Sequence, residues 1–137
     1  MKSQLLAFST ILLITASSII PTPVFVSTKA KNTVVSNQSA EFSFFRTHRQ
    51  QKGAVATWAL TTNTGVLYFQ LQRTYQDPTD PYSMWENIAT IECTAERTFK
   101  YNDKEVLAGR IYYRVVAYFE GDYSITSEVS DIKIVSH

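Results

Sequence analysis

The residue types that perform catalysis or bind metals are few and widely separated in this sequence. Its two histidines are His48 and the C-terminal His137, and its single cysteine is Cys93. No pair of these residues has the spacing of zinc ligands, which come in closely spaced pairs along a chain. Cys93 has no obvious base in the sequence that would turn its thiol into a nucleophile. We therefore predict no metal site and no cysteine-dependent catalysis.

Paired carboxylates, which can act together as general acid and base, occur at only two places. Glu120 and Asp122 lie in a predicted turn, and Glu92 and Glu96 lie near the end of a predicted strand. Both pairs are more simply explained as solvated charges. The sequence also contains no glycine-rich phosphate loop and no nucleophile elbow. We predict that the protein is not an enzyme, has no catalytic residues and binds no cofactor.

Two further carboxylates, Asp77 and Asp80, lie in the segment Gln76–Pro81 and raise the question of a calcium site. Two aspartates without further spaced oxygen ligands are weak evidence for calcium. Aspartate before proline is first of all a turn signal, and two prolines would interrupt a central strand. The prediction for this segment is a loop without a metal.

Length and charge set the broad class of protein. A chain of 137 residues with 45% hydrophobic content is large enough for one compact domain with its own core. The formal net charge is +1, and removal of Lys2 and Lys29 with an N-terminal segment would leave 11 basic against 12 acidic residues. Such a balance argues against binding nucleic acid through bulk charge. We expect no nucleic-acid partner.

The single cysteine, Cys93, excludes an internal disulfide framework. The simplest interpretation is a small apolar residue within a strand. Pairing with a cysteine of another chain is the alternative in an exported protein. Stability must then come from packing, which is feasible at this size.

The first 30 residues have the order of features that an export signal has. Lys2 precedes the apolar run Leu5–Ile20, two prolines follow it, and Ser27–Ala30 offers small residues for cleavage. We predict a signal peptide over residues 1–30 and a secreted or periplasmic protein, with the cell surface as a further option. Because Leu5–Val26 is uncharged and long enough to span a bilayer, an uncleaved anchor is the alternative, and it would be the protein's only contact with a membrane.

The remainder of the chain is predicted to be all-β. Residues 31–40 are polar and indicate a flexible lead-in, and residues 41–137 form the domain. Alternation of side chains is clearest in Gly109–Tyr118, which indicates a long strand with two different faces. About seven short strands at regular spacing, without a helical period, predict a single antiparallel β-sandwich. The basic segment Arg46–Lys52 is predicted to be a loop between the first two strands.

Several segments of the sequence resemble a fibronectin type III domain, in the exported bacterial version common in Bacteroidetes. The resemblance covers roughly residues 42–135, and its order and spacing are more specific than any one segment. The segments that carry it are Ala56–Trp58, Phe69–Thr74, Trp85–Ile91, Tyr101–Asp103, Leu107–Val115, Gly121 and Ser127–Val129. The resemblance implies an immunoglobulin-like sandwich in which Tyr113, six residues after Leu107, forms a tyrosine corner bonded to the backbone near Leu107–Gly109.

The alternation divides the strand residues into a core set and a surface set. The predicted structural core contains Trp58, Phe69, Leu71, Leu107, Tyr113 and Val115. On the family's topology the third strand, which contains Phe69–Thr74, and the long strand are neighbours, so their outward residues share one face. The candidate partner surface on that face is Tyr68, Gln70, Gln72, Tyr112, Arg114 and Tyr118. Tyrosine and arginine are typical of binding surfaces, although ordinary cross-strand pairing explains the same residues.

We therefore expect a non-catalytic exported module that binds a protein or glycan partner, as in adhesion, at the cell envelope or outside the cell. The alternative is a structural or accessory subunit of a larger envelope assembly. The first predicts an exposed aromatic patch, and the second predicts pairing along strand edges.

Overall fold

The computed structural model describes residues 39–136, which form an antiparallel β-sandwich of two sheets without a helix. The predicted all-β fold class is confirmed, with eight strands where about seven were expected. The strands are β1 (Phe42–Gln50), β2 (Gly53–Leu60), β3 (Val66–Thr74), β4 (Glu86–Glu92), β5 (Phe99–Asp103), β6 (Gly109–Phe119), β7 (Tyr123–Thr126) and β8 (Ser130–Ile134).

The five-stranded sheet has the order β4-β3-β6, and β7 and β8 share the far edge of β6. The predicted pairing of β3 with β6 is confirmed, with Leu71 opposite Val115 and Gln72 opposite Arg114. Along β6 the side chains of Tyr113 and Val115 are fully buried, as the alternation predicts. β6 is the centre of this sheet because it pairs with β3 on one side and with two strands on the other.

The three-stranded sheet has the order β1-β2-β5, and its inward face is built around Trp58. The small residues Ala54 and Ala56 precede Trp58 on the same face of β2 and leave room for the indole. The ring stacks on Phe99 at 6.0 Å between centroids and meets Phe69 edge-on at 5.7 Å. These three aromatic side chains come from β2, β5 and β3, so they join the two sheets.

The stretch of chain after β6 is divided into two short strands, β7 and β8, which accounts for the eighth strand. Ser127 turns the chain between β7 and β8: its N–H donates to the Val115 carbonyl at 2.8 Å, and its Oγ accepts from the Val115 N–H at 2.9 Å. The prediction of a loop over Arg46–Lys52 is wrong for most of its length. β1 continues to Gln50 and turns within two residues, because Gln51 takes a left-handed conformation with φ of 55°.

The core prediction is wrong for Leu107, which is 69% exposed in the connection between β5 and β6. Its N–H donates to the hydroxyl of Tyr75 at 3.0 Å, which holds the connection on the outside of the sandwich. The predicted backbone partner of Tyr113 is also wrong. Its hydroxyl donates to the Asp103 carboxylate at 2.9 Å, because a buried carboxylate at the end of β5 offers a stronger acceptor than a carbonyl.

Polar side-chain contacts connect the two sheets on both sides of the sandwich. On one side Arg73 of β3 donates through Nη1 to both carboxylate oxygens of Asp103 on β5, at 2.8 and 3.0 Å, and through Nε to Glu86 at 3.0 Å. On the other side Thr47 of β1 and Ser130 of β8 share a hydroxyl–hydroxyl contact of 2.8 Å. The two sheets are therefore joined by polar contacts on both sides as well as through the aromatic core.

The predicted signal peptide over residues 1–30, and the lead-in except for Ser39 and Ala40, lie outside the described residues. Within residues 39–136 no helix is long and apolar enough to cross a membrane.

Candidate functional site

The six residues of the candidate partner surface come from two neighbouring strands and share the outward face of the five-stranded sheet. The register places Tyr68 opposite Tyr118 and Gln72 opposite Arg114. All six side chains are half-buried, because each is flanked by a cross-strand neighbour. We call this surface, together with Trp85, the outer face.

The two tyrosines at one end of the outer face form a stacked pair. The rings of Tyr68 and Tyr118 are 4.9 Å apart between centroids and 21° from parallel. The hydroxyl of Tyr118 also donates to Gln70 Oε1 at 3.0 Å. Side chains stand roughly perpendicular to a sheet, so two rings that stack across strands present their edges to the solvent. This end of the outer face is an ordered ladder of cross-strand contacts.

At the middle of the outer face, Arg114 is held by two neighbours. Its Nε donates to Gln72 Oε1 at 2.8 Å, and its guanidinium carbon lies 4.0 Å from the ring centroid of Trp85. Trp85 immediately precedes β4, and sequence reasoning assigned it only to a strand. The position of Trp85 at the start of the strand next to β3 was the feature of the sequence that could have indicated its place in the site. The sequence alone did not specify its contact with Arg114.

Arg114 has no acidic partner within the part of the chain that the structure describes, unlike two other arginines. Arg73 pairs with Glu86 and Asp103, and Arg110 pairs with Asp131 at 2.8 Å. Partial burial without a carboxylate lowers the pKa of Arg114, which nevertheless stays protonated near neutral pH because arginine titrates far above it. The outer face therefore presents a positioned positive charge.

A rigid loop leads directly into Trp85 and displays two exposed apolar side chains. Tyr82 is 88% exposed and Met84 is 77% exposed. The loop is fixed by its own hydrogen bonds: Met84 N–H donates to Gln76 Oε1 at 2.6 Å, and the Thr79 N–H and hydroxyl donate to Asp77 Oδ1 at 2.9 and 2.7 Å. These bonds also lower the pKa of Asp77. Sequence reasoning identified the loop but not its exposed side chains.

The carboxylates that raised the question of calcium serve as hydrogen-bond acceptors in this loop. Asp80 Oδ1 accepts from the Tyr82 N–H at 2.9 Å, in addition to the bonds that Asp77 receives. Within residues 39–136 no three histidine, cysteine or acidic side chains are grouped closely enough to hold a metal ion.

Cys93 lies half-buried just after β4, and its Sγ is 3.7 Å from the Thr94 carbonyl. Burial raises the pKa of the Cys93 thiol, which favours the protonated and less nucleophilic form at neutral pH.

His48 is exposed on β1. Glu120 and Asp122 lie in the hairpin between β6 and β7, where Asp122 and Gly121 take positive φ angles of 60° and 80°.

Comparisons with known proteins define the fold and leave the site open. The sequence matches no protein-family model and no curated protein. The structure is similar to a pectate lyase from Pectobacterium carotovorum, with 14% identity over 70% of this chain and a TM-score of 0.52. The present chain spans only 27% of that enzyme's length. An Fn3-like protein from Clostridium thermocellum matches with 20% identity over 66% of this chain and 86% of its own, at a TM-score of 0.47.

The strand order, β1-β2-β5 in one sheet and β4-β3-β6 with β7 and β8 in the other, defines an antiparallel β-sandwich with a fibronectin type III-like fold. The domain achieves this fold without a disulfide in its described residues, through an aromatic core and the ion pair between Arg73 and Asp103.

Proposed function

We propose that this protein is a non-catalytic, exported β-sandwich module that binds a protein or glycan partner at the cell envelope or outside the cell. The order of charge, apolar run and small residues in residues 1–30 supports export. The resemblance of the sequence to Bacteroidetes-type exported domains supports a bacterial envelope as the setting.

The observation that carries the proposal is the outer face next to the rigid loop. Arg114 is fixed over Trp85 without an acidic partner among the described residues, and Met84 immediately precedes Trp85. Folding alone does not require an oriented guanidinium beside exposed methionine and tyrosine side chains. Such residues are typical of the centres of binding surfaces, and a preformed loop loses little conformational entropy on binding.

An accessory role within a larger assembly is the second candidate. It is supported by the observation that the matching portion of the Pectobacterium carotovorum pectate lyase is about a quarter of that chain. A sandwich of this kind can therefore be one part of a longer protein, and this chain would then attach to its assembly through the same outer face or through a strand edge.

Site-specific photocrosslinking in the envelope of the native host tests the proposal. A benzophenone amino acid replaces either Tyr82 in the loop or Tyr123, which is also exposed but lies in the hairpin at the other end of β3 and β6. We expect a defined crosslinked product from position 82 that is absent from position 123. Adding Arg114→Ala should reduce the product by roughly ten- to one-hundredfold in yield, while the melting midpoint changes little.

Two outcomes would contradict the proposal. Equal products from both positions that do not respond to Arg114→Ala would indicate random proximity. Absence of any product from position 82 would indicate that the loop and outer face meet no partner. Thr79→Ser is a control that should alter neither binding nor melting, because the serine keeps the hydroxyl that bonds to Asp77.

A further inference from the structure

The guanidinium of Arg114 is oriented but only partly used. Its Nε is bonded to Gln72 and its plane is held over Trp85, while neither of its Nη groups has a hydrogen-bond partner within residues 39–136. An arginine fixed in this way presents a planar pair of donors that matches the two oxygens of a carboxylate. The unused donors therefore point to the chemistry of the missing partner.

The acidic side chains on the outer face cannot bind the free donors of Arg114, because they are too distant or already form an ion pair. Asp131 of β8 lies opposite Tyr112 and forms an ion pair with Arg110. Glu92 of β4 lies opposite Tyr68, four residues along β3 from Gln72, which corresponds to about 13 Å of strand. Lys133, opposite Arg110, is equally far from Arg114 in the other direction along β6 and offsets the charge of Glu92. The face around Arg114 therefore favours an acidic ligand.

The aromatic side chains favour a peptide over a sugar as the source of that acid. A pyranose ring stacks on an open aromatic face. Tyr68 and Tyr118 stack on each other, so their ring edges point outward. Arg114 covers one face of the Trp85 ring. Tyr82 in the loop is an exposed ring, but Met84 close to it is a flexible apolar side chain of the kind that adapts to the side chains of a peptide.

We infer that the outer face binds an acidic peptide segment of a partner protein, in which one glutamate or aspartate carboxylate docks on the Nη groups of Arg114. Neighbouring apolar residues of the segment contact Met84 and Tyr82. This inference rests on the proposed binding function and specifies the chemistry of the partner at the same site.

The test uses the full chain in detergent micelles and measures binding of two fluorescent decapeptides by anisotropy. In one peptide glutamate alternates with leucine and phenylalanine, and in the other glutamine replaces every glutamate. We expect the glutamate peptide to bind at least roughly tenfold more tightly, since charge-assisted bonds are the stronger kind, and to weaken as salt rises.

Two charge-matched variants separate a specific contact from general attraction. Arg114→Gln should weaken binding of the glutamate peptide by roughly ten- to one-hundredfold. Arg110→Gln removes the same charge from the same strand, but its arginine already pairs with Asp131, so it should change affinity by less than about threefold. Arg114→Lys keeps the charge without the planar donor pair, and it should bind measurably less tightly than the unmodified protein even if Arg114→Gln does not fold.

Each remaining outcome overturns the inference in a recognisable way. Equal loss from Arg114→Gln and Arg110→Gln would mean bulk charge, and equal binding of both peptides would mean that no carboxylate is recognised. Binding of polygalacturonate in preference to the peptide would mean an acidic glycan. If neither peptide binds while the crosslink from position 82 persists, the acidic-peptide inference is wrong and the proposed function stands. If that crosslink is absent as well, both are wrong.

Discussion

At the scale of single residues, the buried polar contact between Tyr113 and Asp103 stabilises the fold through a hydrogen bond to a charged group. Burial raises the pKa of Tyr113, and the neighbouring carboxylate raises it further, so the hydroxyl remains a donor across the physiological range. Asp103 is only 5% exposed and receives hydrogen bonds from both Arg73 and Tyr113. The tyrosine thus satisfies one lone pair of a buried anion, which a phenylalanine would leave exposed to an apolar environment.

Tyr113→Phe should lower the free energy of unfolding by about 1.5–3 kcal/mol, the range for hydrogen bonds to charged groups. Tyr112→Phe is the matched control, because Tyr112 lies on the opposite face of β6 and its hydroxyl has no partner within residues 39–136. Urea unfolding followed by tryptophan fluorescence measures both. A Tyr112→Phe loss equal to or larger than that of Tyr113→Phe would contradict the assignment of the buried donor.

The thiol of Cys93 leads to a prediction about pH. Because burial raises its pKa, the fraction of reactive thiolate at neutral pH is smaller than in a free cysteine. Alkylation by iodoacetamide at pH 7 should therefore be slower in the folded protein than in the same protein unfolded in urea, and the difference should shrink as pH rises. Equal rates for the folded and the unfolded protein at pH 7 would contradict the prediction.

At the scale of elements, Ser127 explains why the final stretch forms two strands. Its hydroxyl accepts from the buried Val115 N–H and donates to the Glu128 carbonyl at 2.8 Å, so the side chain replaces a strand partner at that point of β6. Both β7 and β8 can then pair with one edge of β6. The sequence pattern did not reveal this break, because apolar residues recur on both sides of it.

Ser127→Ala should lower the free energy of unfolding by about 1–3 kcal/mol, since it leaves the Val115 N–H buried without an acceptor. Ser124→Ala in β7 is the matched control, because Ser124 is exposed and its change should fall within about 0.5 kcal/mol. Hydrogen exchange at the Val115 amide gives an independent measurement. Unchanged protection of that amide in Ser127→Ala would contradict the role of the hydroxyl.

The alternation and pairing of strands could be predicted from the sequence where one face of a strand meets the core and the other meets the solvent. From Ile111 to Val115, β6 alternates between fully buried and half-buried side chains, so the positions of Tyr113 and Arg114 on opposite faces follow from period two. Leu107 was not predictable by the same reasoning, because apolar character does not require burial in a connecting segment. The contact between Trp85 and Arg114 depends on how a loop enters β4, and no local period specifies that.

At the scale of the whole molecule, the aromatic core couples the two sheets into one unfolding unit. Trp58 contacts Phe99 within its own sheet and Phe69 across the sandwich, while Phe69 and Phe99 are 4.6 Å apart between centroids. The indole Nε1 is buried and has no hydrogen-bond partner within residues 39–136, so packing rather than a polar bond holds this ring.

Trp58→Ala should lower the free energy of unfolding by about 3–5 kcal/mol, because it opens a cavity between the sheets. Tyr82→Ala removes a similarly large ring from an 88% exposed position and should change stability by less than about 0.5 kcal/mol. Calorimetry of the two variants measures the difference. A Trp58→Ala protein as stable as Tyr82→Ala would mean that the sheets are held together by other contacts.

The polar contacts between the sheets, from Arg73 to Asp103 and from Thr47 to Ser130, join them as disulfides do in many small secreted domains. Such non-covalent contacts do not depend on the redox conditions. The sandwich should melt at the same temperature with and without a thiol reductant, and it can be produced folded in a reducing cytosol or an oxidising periplasm alike. Its outer face is therefore formed wherever the chain completes folding, without the need for an oxidase or an isomerase.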